Sequence, residues 1–458
     1  MQKLVSLAKR RGLIFQSSEI YGGLRSAYDY GPLGVELKRN IKNEWWRTMV
    51  HEREDVVGID ASIIMHPRVW EASGHVAGFT DPLVDCKNCQ ARFRADKAPL
   101  GADGKIVCPE CQSQNLSDVR KFNLMFKTHL GPVEDDSATV FLRPETAQAM
   151  FVNFLNVQQS YRLKPPFGIA QQGKSFRNEI TVEHFTFRSC EFEQMEMEYF
   201  VPPPQYADEG KGPDYWYDYW KGERLRWYTE RLGLRPEKLR LREHEKSELA
   251  HYALACADVE YDYPWGWGEL EGIASRGDFD LTQHSKFSGK KLTYFDVDKK
   301  AHYLPFVIEP AAGADRTALA VLIDAYEEEP PPPDAKGEGA EPRVVLRLDP
   351  RIAPIKVAVF PLIKKEGMPE KAREIIRTFW QSGVNAFYDE KDAVGRRYRR
   401  QDEVGTPFCI TVDGQTAQDD TVTIRYRDDM QQERISVTDA LKVVTEKLRK
   451  GGRKVTKA

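Results

Sequence analysis

Four cysteines in DCKNCQARFRADKAPLGADGKIVCPECQS form two C-x-x-C pairs separated by 18 residues. That spacing lets two knuckles bring four thiolates to one tetrahedral ion, with ADG marking the turn between them. Cys86, Cys89, Cys108 and Cys111 are thus candidate ligands of a structural zinc, and four unrelated reduced thiols are the alternative reading. A closed four-sulfur site has no open coordination position, so no catalysis is expected there. A second pattern, GIAQQGKS at 168–175, fits the G-x-x-x-x-G-K-[ST] phosphate loop, which needs a buried strand before it and a helix after it. Pro165 and Pro166 stand just upstream, and aromatic and β-branched residues alternate downstream, which argues against a helix starting at Lys174. Gly173 is expected at a turn, and Arg177 becomes the cation of interest.

Two extended stretches position the remaining chemistry. In FRNEI, Arg177 and Glu179 point to one face, and Phe176, Asn178 and Ile180 to the other. In FEQMEMEYF, Phe192, Gln194, Glu196, Glu198 and Phe200 share a face, and Glu193, Met195, Met197 and Tyr199 take the opposite one. A ring, an amide and carboxylates on one face form either a binding wall or a solvated sheet surface. LRPETAQAMFVNFL predicts a helix with Pro144 in its first turn, Glu145 beside it, and Met150, Phe151 and Phe154 facing a core. YLPFVIEPAAGADR runs from a strand through Glu309, Pro310 and Gly313 into a helix whose first turn carries Arg316. An arginine there opposes the macrodipole unless an anion such as phosphate sits beside it, or unless it points to solvent.

These stretches belong to a chain of 458 residues with 41% hydrophobic and 30% charged residues, which suits two or three domains with cores of their own. No run approaches the ~20 apolar residues of a membrane span, and the N-terminus lacks an apolar leader, so a cytoplasmic location is expected. Cys190, Cys256 and Cys409 are scattered singly, as suits a reducing compartment. The apolar period breaks at EEEPPPPDAKGEGAEP, which predicts a linker over 327–344. Beyond it, 345–458 reads as a small α/β domain with a mostly parallel sheet, closed by a helix from Ser436 with Asp439 three positions on. From Val345 onward, 23 Lys and Arg stand against 17 Asp and Glu, a net +6 that leaves −9 for the remainder of a chain at −3. This basic balance hints at a polyanionic partner. Within it Arg396, Arg397, Arg399 and Arg400 form a cluster that is either a contact surface or a solvated face. Residues 1–326 read as an α+β domain with two insertions, one at 82–120 holding the cysteines and one at 201–262 that looks helical and rich in Tyr and Trp.

Taken together, SSEIYGGLRSAYDYGPLGVELKRN with Pro32, LRPETAQAMF, FRNEI through CEFEQME, and EPAAGADR resemble the three motifs of class II aminoacyl-tRNA synthetases, and among them the dimeric glycyl type. The resemblance covers nearly the whole chain. It implies an antiparallel sheet flanked by helices, a zinc-ribbon-like insertion, an α/β anticodon-binding domain at the C-terminus, and a homodimer. It also implies activation of glycine by Mg²⁺-ATP with release of pyrophosphate, then transfer to the 3′ end of tRNA(Gly). Arg177, Glu179 and Arg316 take the catalytic positions in that resemblance. Asn178, Phe187, Arg188, Phe192, Glu269, Leu270, Gly313 and Asp315 join them around ATP, with adenine between Phe192 and Arg316. Arg94, Glu145, Phe192, Gln194, Glu196, Glu271, Glu309 and Gly313 match substrate positions, Glu145 and Glu196 as ligands of the glycine ammonium. Glycine has no side chain to recognise, so crowding around its Cα must exclude larger amino acids. The chain departs from the family pattern at Ala311, where many members have serine. An inactive relative that binds nucleic acid would have lost the motif arginines and carboxylates, which are present here. A synthetase for another amino acid is the nearer rival.

Overall fold

The computed structural model describes residues 1–24, 26–330 and 342–452. At its centre is a seven-stranded sheet built from β1 (Val56–Gly58), β2 (Phe167–Phe176), β3 (Glu191–Val201), β4 (Leu239–Glu243), β5 (Ala255–Tyr263), β6 (Gly266–Gly277) and β7 (Phe306–Gly313). The spatial order is β4-β5-β6-β7-β3-β2-β1, with every neighbouring pair antiparallel except β1 and β2. Five helices pack on it: α1 (Pro32–Trp46), α2 (Ala147–Val152), α3 (Pro213–Arg226), α4 (Phe279–Ser288) and α5 (Ala314–Ala325).

The alternation read in FEQMEMEYF explains the layering. Met195, Met197 and Tyr199 turn to one face, where Trp45 of α1, Trp220 of α3 and Leu319 of α5 bury them in a single cluster. Full burial of such a side chain contributes roughly 1.5–3 kcal/mol. On the opposite face Phe200 joins Phe151, Phe154, Phe167 and Leu281 under α2 and α4. The rest of that face is left open as a cleft. Helix α1 begins with Pro32, whose missing N–H falls where no intrahelical partner exists. Its Gly34 is required by contact: a Cβ there would lie 1.7 Å from the Leu13 carbonyl oxygen.

Several expectations change. The expected FRNEI strand ends at Phe176, and the ladder is instead FGIAQQGKSF, which is β2. Gly173 sits mid-strand opposite Gln194, not at a turn, and a Cβ on it would come within 2.1 Å of an Arg143 guanidinium nitrogen. With a strand running through Lys174, the phosphate-loop reading is excluded. The helix of LRPETAQAMF starts at Ala147, after Pro144 and Glu145. Residues 201–262 are only partly helical: α3 covers the sheet, while β4 and β5 complete its edge. Sequence alternation is hidden there because α3 is aromatic on several sides and β4 is charged.

The expected linker changes too. β8 (Tyr326–Glu329) pairs antiparallel with β9 (Arg343–Leu346), so the chain leaves and re-enters one ladder; 331–341, most of the acidic and proline-rich segment, lie outside the described residues. Beyond it come β10 (Val357–Pro361), β11 (Ala386–Tyr388), β12 (Phe408–Val412), β13 (Thr421–Tyr426) and β14 (Gln432–Ser436), in the order β11-β10-β12-β13-β14. They are flanked by α6 (Met368–Gln381), α7 (Val394–Val404) and α8 (Val437–Lys450). The sheet is mixed: β10 is parallel to β11 and β12, and the β12–β13 and β13–β14 pairs are antiparallel. β14 is a half-exposed edge with little apolar alternation, which is why its sequence does not announce it. α8 starts as expected, with Ser436 Oγ accepting from the Asp439 N–H at 3.0 Å. Buried Asp402 of α7 ties the two sheets together, accepting from Arg343 of β9 at 2.8 Å and from Arg425 of β13 at 2.9 and 3.0 Å.

Candidate active site

The open face of the central sheet holds a cavity of about 310 Å³. Of the residues singled out in sequence, Glu145, Arg177, Glu179, Phe187, Arg188, Phe192, Gln194, Glu196, Glu269, Glu309, Gly313, Asp315 and Arg316 line it. Arginines and rings form the outer part. Arg177 leaves the end of β2, its Nε donates to the Pro144 carbonyl at 3.0 Å, and its guanidinium lies 5.3 Å from the Phe79 ring and 5.2 Å from Phe192. Arg316, in the first turn of α5, donates from Nε to the Phe187 carbonyl at 3.0 Å, stacks 4.5 Å from the Phe187 ring and pairs with Glu269 at 3.0 Å. Arg188 reaches toward Glu179 at 3.7 Å. Partial desolvation raises the Glu269 carboxyl, and Arg316, Arg177 and His244 overcome that, leaving it below the usual range. The charge opposing the α5 dipole thus faces the cleft.

Carboxylates form the floor. Glu145 accepts from Gln148 Nε2 at 2.9 Å and faces His75 Nε2 at 3.2 Å. Burial raises its carboxyl, but His75, Arg276 and Gln148 outweigh this and hold it low. Gln148 is oriented by His284, whose Nε2 meets its carbonyl oxygen at 2.8 Å, so that the amide nitrogen is left to donate to Glu145 and Asp280. Glu196 accepts from the Thr146 N–H at 3.1 Å, from the Thr146 hydroxyl, and from Gln194 at 3.2 Å. Burial, then the neighbouring Glu309 and Glu145, push it up to about 8. Glu309 is raised to about 6 by burial, against the pull of Arg276, which donates to it at 2.9 Å. Glu198 behind them is fully buried, its two oxygens have no hydrogen-bond partner among the described residues, and burial holds it well above the usual range. Glu196 and Glu309 therefore hold their protons more tightly than ordinary carboxyls, and an ammonium group would favour their ionised forms, while Glu145 is already held low. Ala311 places a methyl beside them.

Other expected residues lie elsewhere. At Glu269–Glu271 the β5–β6 register slips, so Glu269 pairs opposite Glu260 and Glu271 opposite Val259. This bulge turns both Leu270 and Glu271 away from the cleft: Leu270 is in the core behind the sheet, and Glu271 is fully buried against Arg224 of α3 at 2.6 Å. Asn178 uses its N–H on the Leu124 carbonyl and its side chain does not line the cavity. Arg94 is held by Asp81 and Asp96, both at 2.8 Å, outside the lining. Asp315 reaches the cavity edge, but its carboxylate accepts from Lys38 of α1 and from the Glu193 N–H, each at 2.7 Å. It joins α1, β3 and α5 rather than offering a free ligand. Arg276, fully buried beside Asp280 at 2.7 and 2.9 Å, was missed in sequence. An arginine inside the otherwise apolar GIASRG was the available signal.

The cysteines converge as their spacing predicts. All four sulfurs lie within 4.8 Å of one another, with Cys86–Cys111 and Cys89–Cys108 at 3.6 Å. Zn–S bonds of about 2.3 Å in a tetrahedron require nearly that separation. Each knuckle closes on a glutamine in the left-handed region, Gln90 at φ 62° and Gln112 at φ 59°, whose N–H returns to the carbonyl of the first cysteine at 2.9 Å. A three-stranded sheet formed by Thr80–Asp85, Arg92–Arg94 and Arg120–Asn123 carries them.

A mainly antiparallel sheet with arginines at the rim of its cleft, followed by a mixed α/β domain, is the architecture of a class II aminoacyl-tRNA synthetase. Residues 356–447 match the family model described as an anticodon binding domain. The chain is 53% identical over 442 residues to the glycine–tRNA ligase of Treponema denticola, covering 96% of this chain and 95% of that one. It is 52% identical over 466 residues to that of Thermobifida fusca, covering 98% of each, and 52% identical over 449 residues to that of Streptomyces coelicolor, covering 95% of each. The chain belongs to the glycine–tRNA ligase family.

Proposed function

We propose that this cleft condenses glycine with ATP to glycyl-adenylate, releasing pyrophosphate, and then passes the glycyl group to the 3′ end of tRNA(Gly). The observation that carries the reading is the floor of Glu145, Glu196 and Glu309 beneath a rim of Arg177, Arg188 and Arg316. The carboxylates take the ammonium of a small amino acid. Arg177 neutralises charge developing on the α-phosphate as the glycine carboxylate attacks, and Arg188 and Arg316 take the outer phosphates. Phe192 offers its ring to adenine. Mg²⁺ bound with ATP would supply further phosphate neutralisation, and Glu269 is the residue at hand to contact it. No protein nucleophile is needed, because positioning and electrostatics suffice. The test is glycine-dependent exchange of labelled pyrophosphate into ATP. Exchange with glycine is expected, and exchange with alanine, serine or proline but not glycine overturns the assignment.

The same reading places one structural zinc in the four-thiolate cluster, which metal analysis of purified protein checks. It assigns tRNA to the C-terminal domain. There the four-arginine cluster reduces to two: Arg397 is buried on the Pro361 and Asp392 carbonyls, and Arg400 pairs with Asp389 and Asp392, which leaves Arg396 and Arg399 exposed on α7. A homodimer is supported by Ile20 and Tyr21, which are 88% and 87% exposed in the first class motif. Sedimentation of the protein tests it. Among the described residues no helix is long and apolar enough to cross a membrane.

A further inference from the structure

One wall of the cleft carries donor chemistry that neither the adenylate reaction nor the family motifs use. Cys256 and Asp258 are alternate residues of β5 and so share a face. His244, the first residue after β4, lies alongside, its N–H donating to the Cys256 carbonyl at 2.9 Å. Its Nε2 is 2.8 Å from Asp258 Oδ2. The imidazole nitrogen, the thiol sulfur and a carboxylate oxygen all lie within 4.8 Å of one another, and all three residues line the cavity. Opposite them in the ladder, Ala274 faces Cys256 and Gly272 faces Asp258, so small residues leave room over the strand. A Cβ on Gly272 would come 3.8 Å from Asp258 Oδ1 and 3.9 Å from Glu269 Oε1. The charges acting on Cys256 itself are acidic, those of Asp258, Glu309, Glu269 and Glu243, while Arg177, Arg188 and Arg316 line other parts of the same cavity, and the neighbouring Arg242, 3.8 Å from Asp258, is already paired with Glu248 and Glu260.

We infer that His244, Cys256 and Asp258 form a second metal site, separate from the four-thiolate cluster, that takes a zinc-class divalent ion on the wall of the cleft. A thiolate with an imidazole selects such an ion over magnesium, which prefers oxygen ligands alone. Three protein ligands leave a fourth position turned to the cavity, open to water or to an oxygen of a bound anion, unlike the closed four-sulfur site. Binding sends the Cys256 thiol proton to bulk water.

The test uses the full-length protein with its four-thiolate cluster already filled, titrated with Zn²⁺ against a chromophoric chelator. One additional zinc per chain is expected in the wild type and none in Cys256→Ser or His244→Ala. Added Co²⁺ should give a thiolate-to-cobalt charge-transfer band that Cys256→Ser lacks. Equal zinc stoichiometry in wild type and both variants overturns the site. A measurement on the wild type alone covers the case in which a variant misfolds: Zn²⁺ should slow alkylation of Cys256 by iodoacetamide about tenfold, read by peptide mass spectrometry. An unchanged labelling rate overturns the site as well.

Discussion

The cysteine-bearing insertion brings four thiols, and the cleft three carboxyls, within 4.8 Å of one another, and the two regions relieve the crowding differently. In the insertion, Cys86, Cys89, Cys108 and Cys111 come from two similar knuckles close in sequence, and their sulfurs are already spaced for one ion. In the cleft, Glu145, Glu196, Glu198 and Glu309 come from the approach to α2, from β3 and from β7, and protons, Arg276 and hydrogen bonds hold them together. A four-thiolate cluster so arranged suits a permanent occupant. The cleft keeps its charge partly discharged, ready for a ligand that comes and goes. Like charges brought together for structure can be neutralised for good, whereas those brought together for binding must be neutralised reversibly.

The largest expected effect strikes Arg276, the buried guanidinium beneath the cleft floor. Arg276→Leu leaves Asp280 and Glu309 buried without their partner and should cost about 3–5 kcal/mol of stability, read by denaturant unfolding. A loss under about 1 kcal/mol would show that protons alone hold the floor together.

Arg177→Ala should lower the rate of glycine-dependent pyrophosphate exchange by about 10²–10³-fold while leaving thermal unfolding unchanged, because its task arises as phosphate charge develops. Near-normal exchange would remove Arg177 from the reaction.

Acidity distinguishes the two regions more finely. Glu196 holds its proton at higher pH in the folded protein than the ordinary 4.5, so its contribution to stability is complete below about 4.5 and fades as pH rises through about 8. Glu309, raised to about 6, acts in the same direction at lower pH. The ammonium of glycine favours the ionised carboxylates, so glycine should raise the melting temperature more at pH 8 than at pH 6. Glu196→Gln should flatten that difference, and equal shifts at both pH values in the wild type would contradict the stored-charge picture.

The smallest effect belongs to Lys174, the lysine of the octet that fits a phosphate loop. It is half-exposed and paired with Glu191 at 2.6 Å, so Lys174→Ala should change stability by less than about 1 kcal/mol and leave the KM for ATP unaltered. A strong rise in that KM would restore a phosphate role to the octet.

Much of the site was legible because the elements that carry it are regular. Period-2 alternation in FEQMEMEYF places Gln194 and Glu196 in the cleft and Met195 and Met197 in the core, since a strand can sort its residues in no other way. The cysteine spacing was equally local. Where alternation failed, something non-local intervened. The bulge between β5 and β6 reversed the phase, so that Glu271, two residues from Glu269, joined Arg224 on the far side of the sheet. No period in GELEG shows where the partner strand will slip. The pairing of β8 with β9 was likewise invisible, because a ladder between segments separated by prolines is decided by the packing around it.

By itself the sequence determined the two faces of FEQMEMEYF and that four thiols would meet, because backbone periodicity and short spacing require no knowledge of the remainder of the chain. Only the tertiary structure decided which charges share a volume. It placed Arg276 among the carboxylates, set Asp315 to joining α1 and β3 instead of to a ligand, and explained Gly173, whose missing side chain makes room for Arg143. The physical reason is range. Periodicity is fixed over a few residues, whereas burial and Coulomb interactions act between groups the chain brings together from tens or hundreds of residues apart.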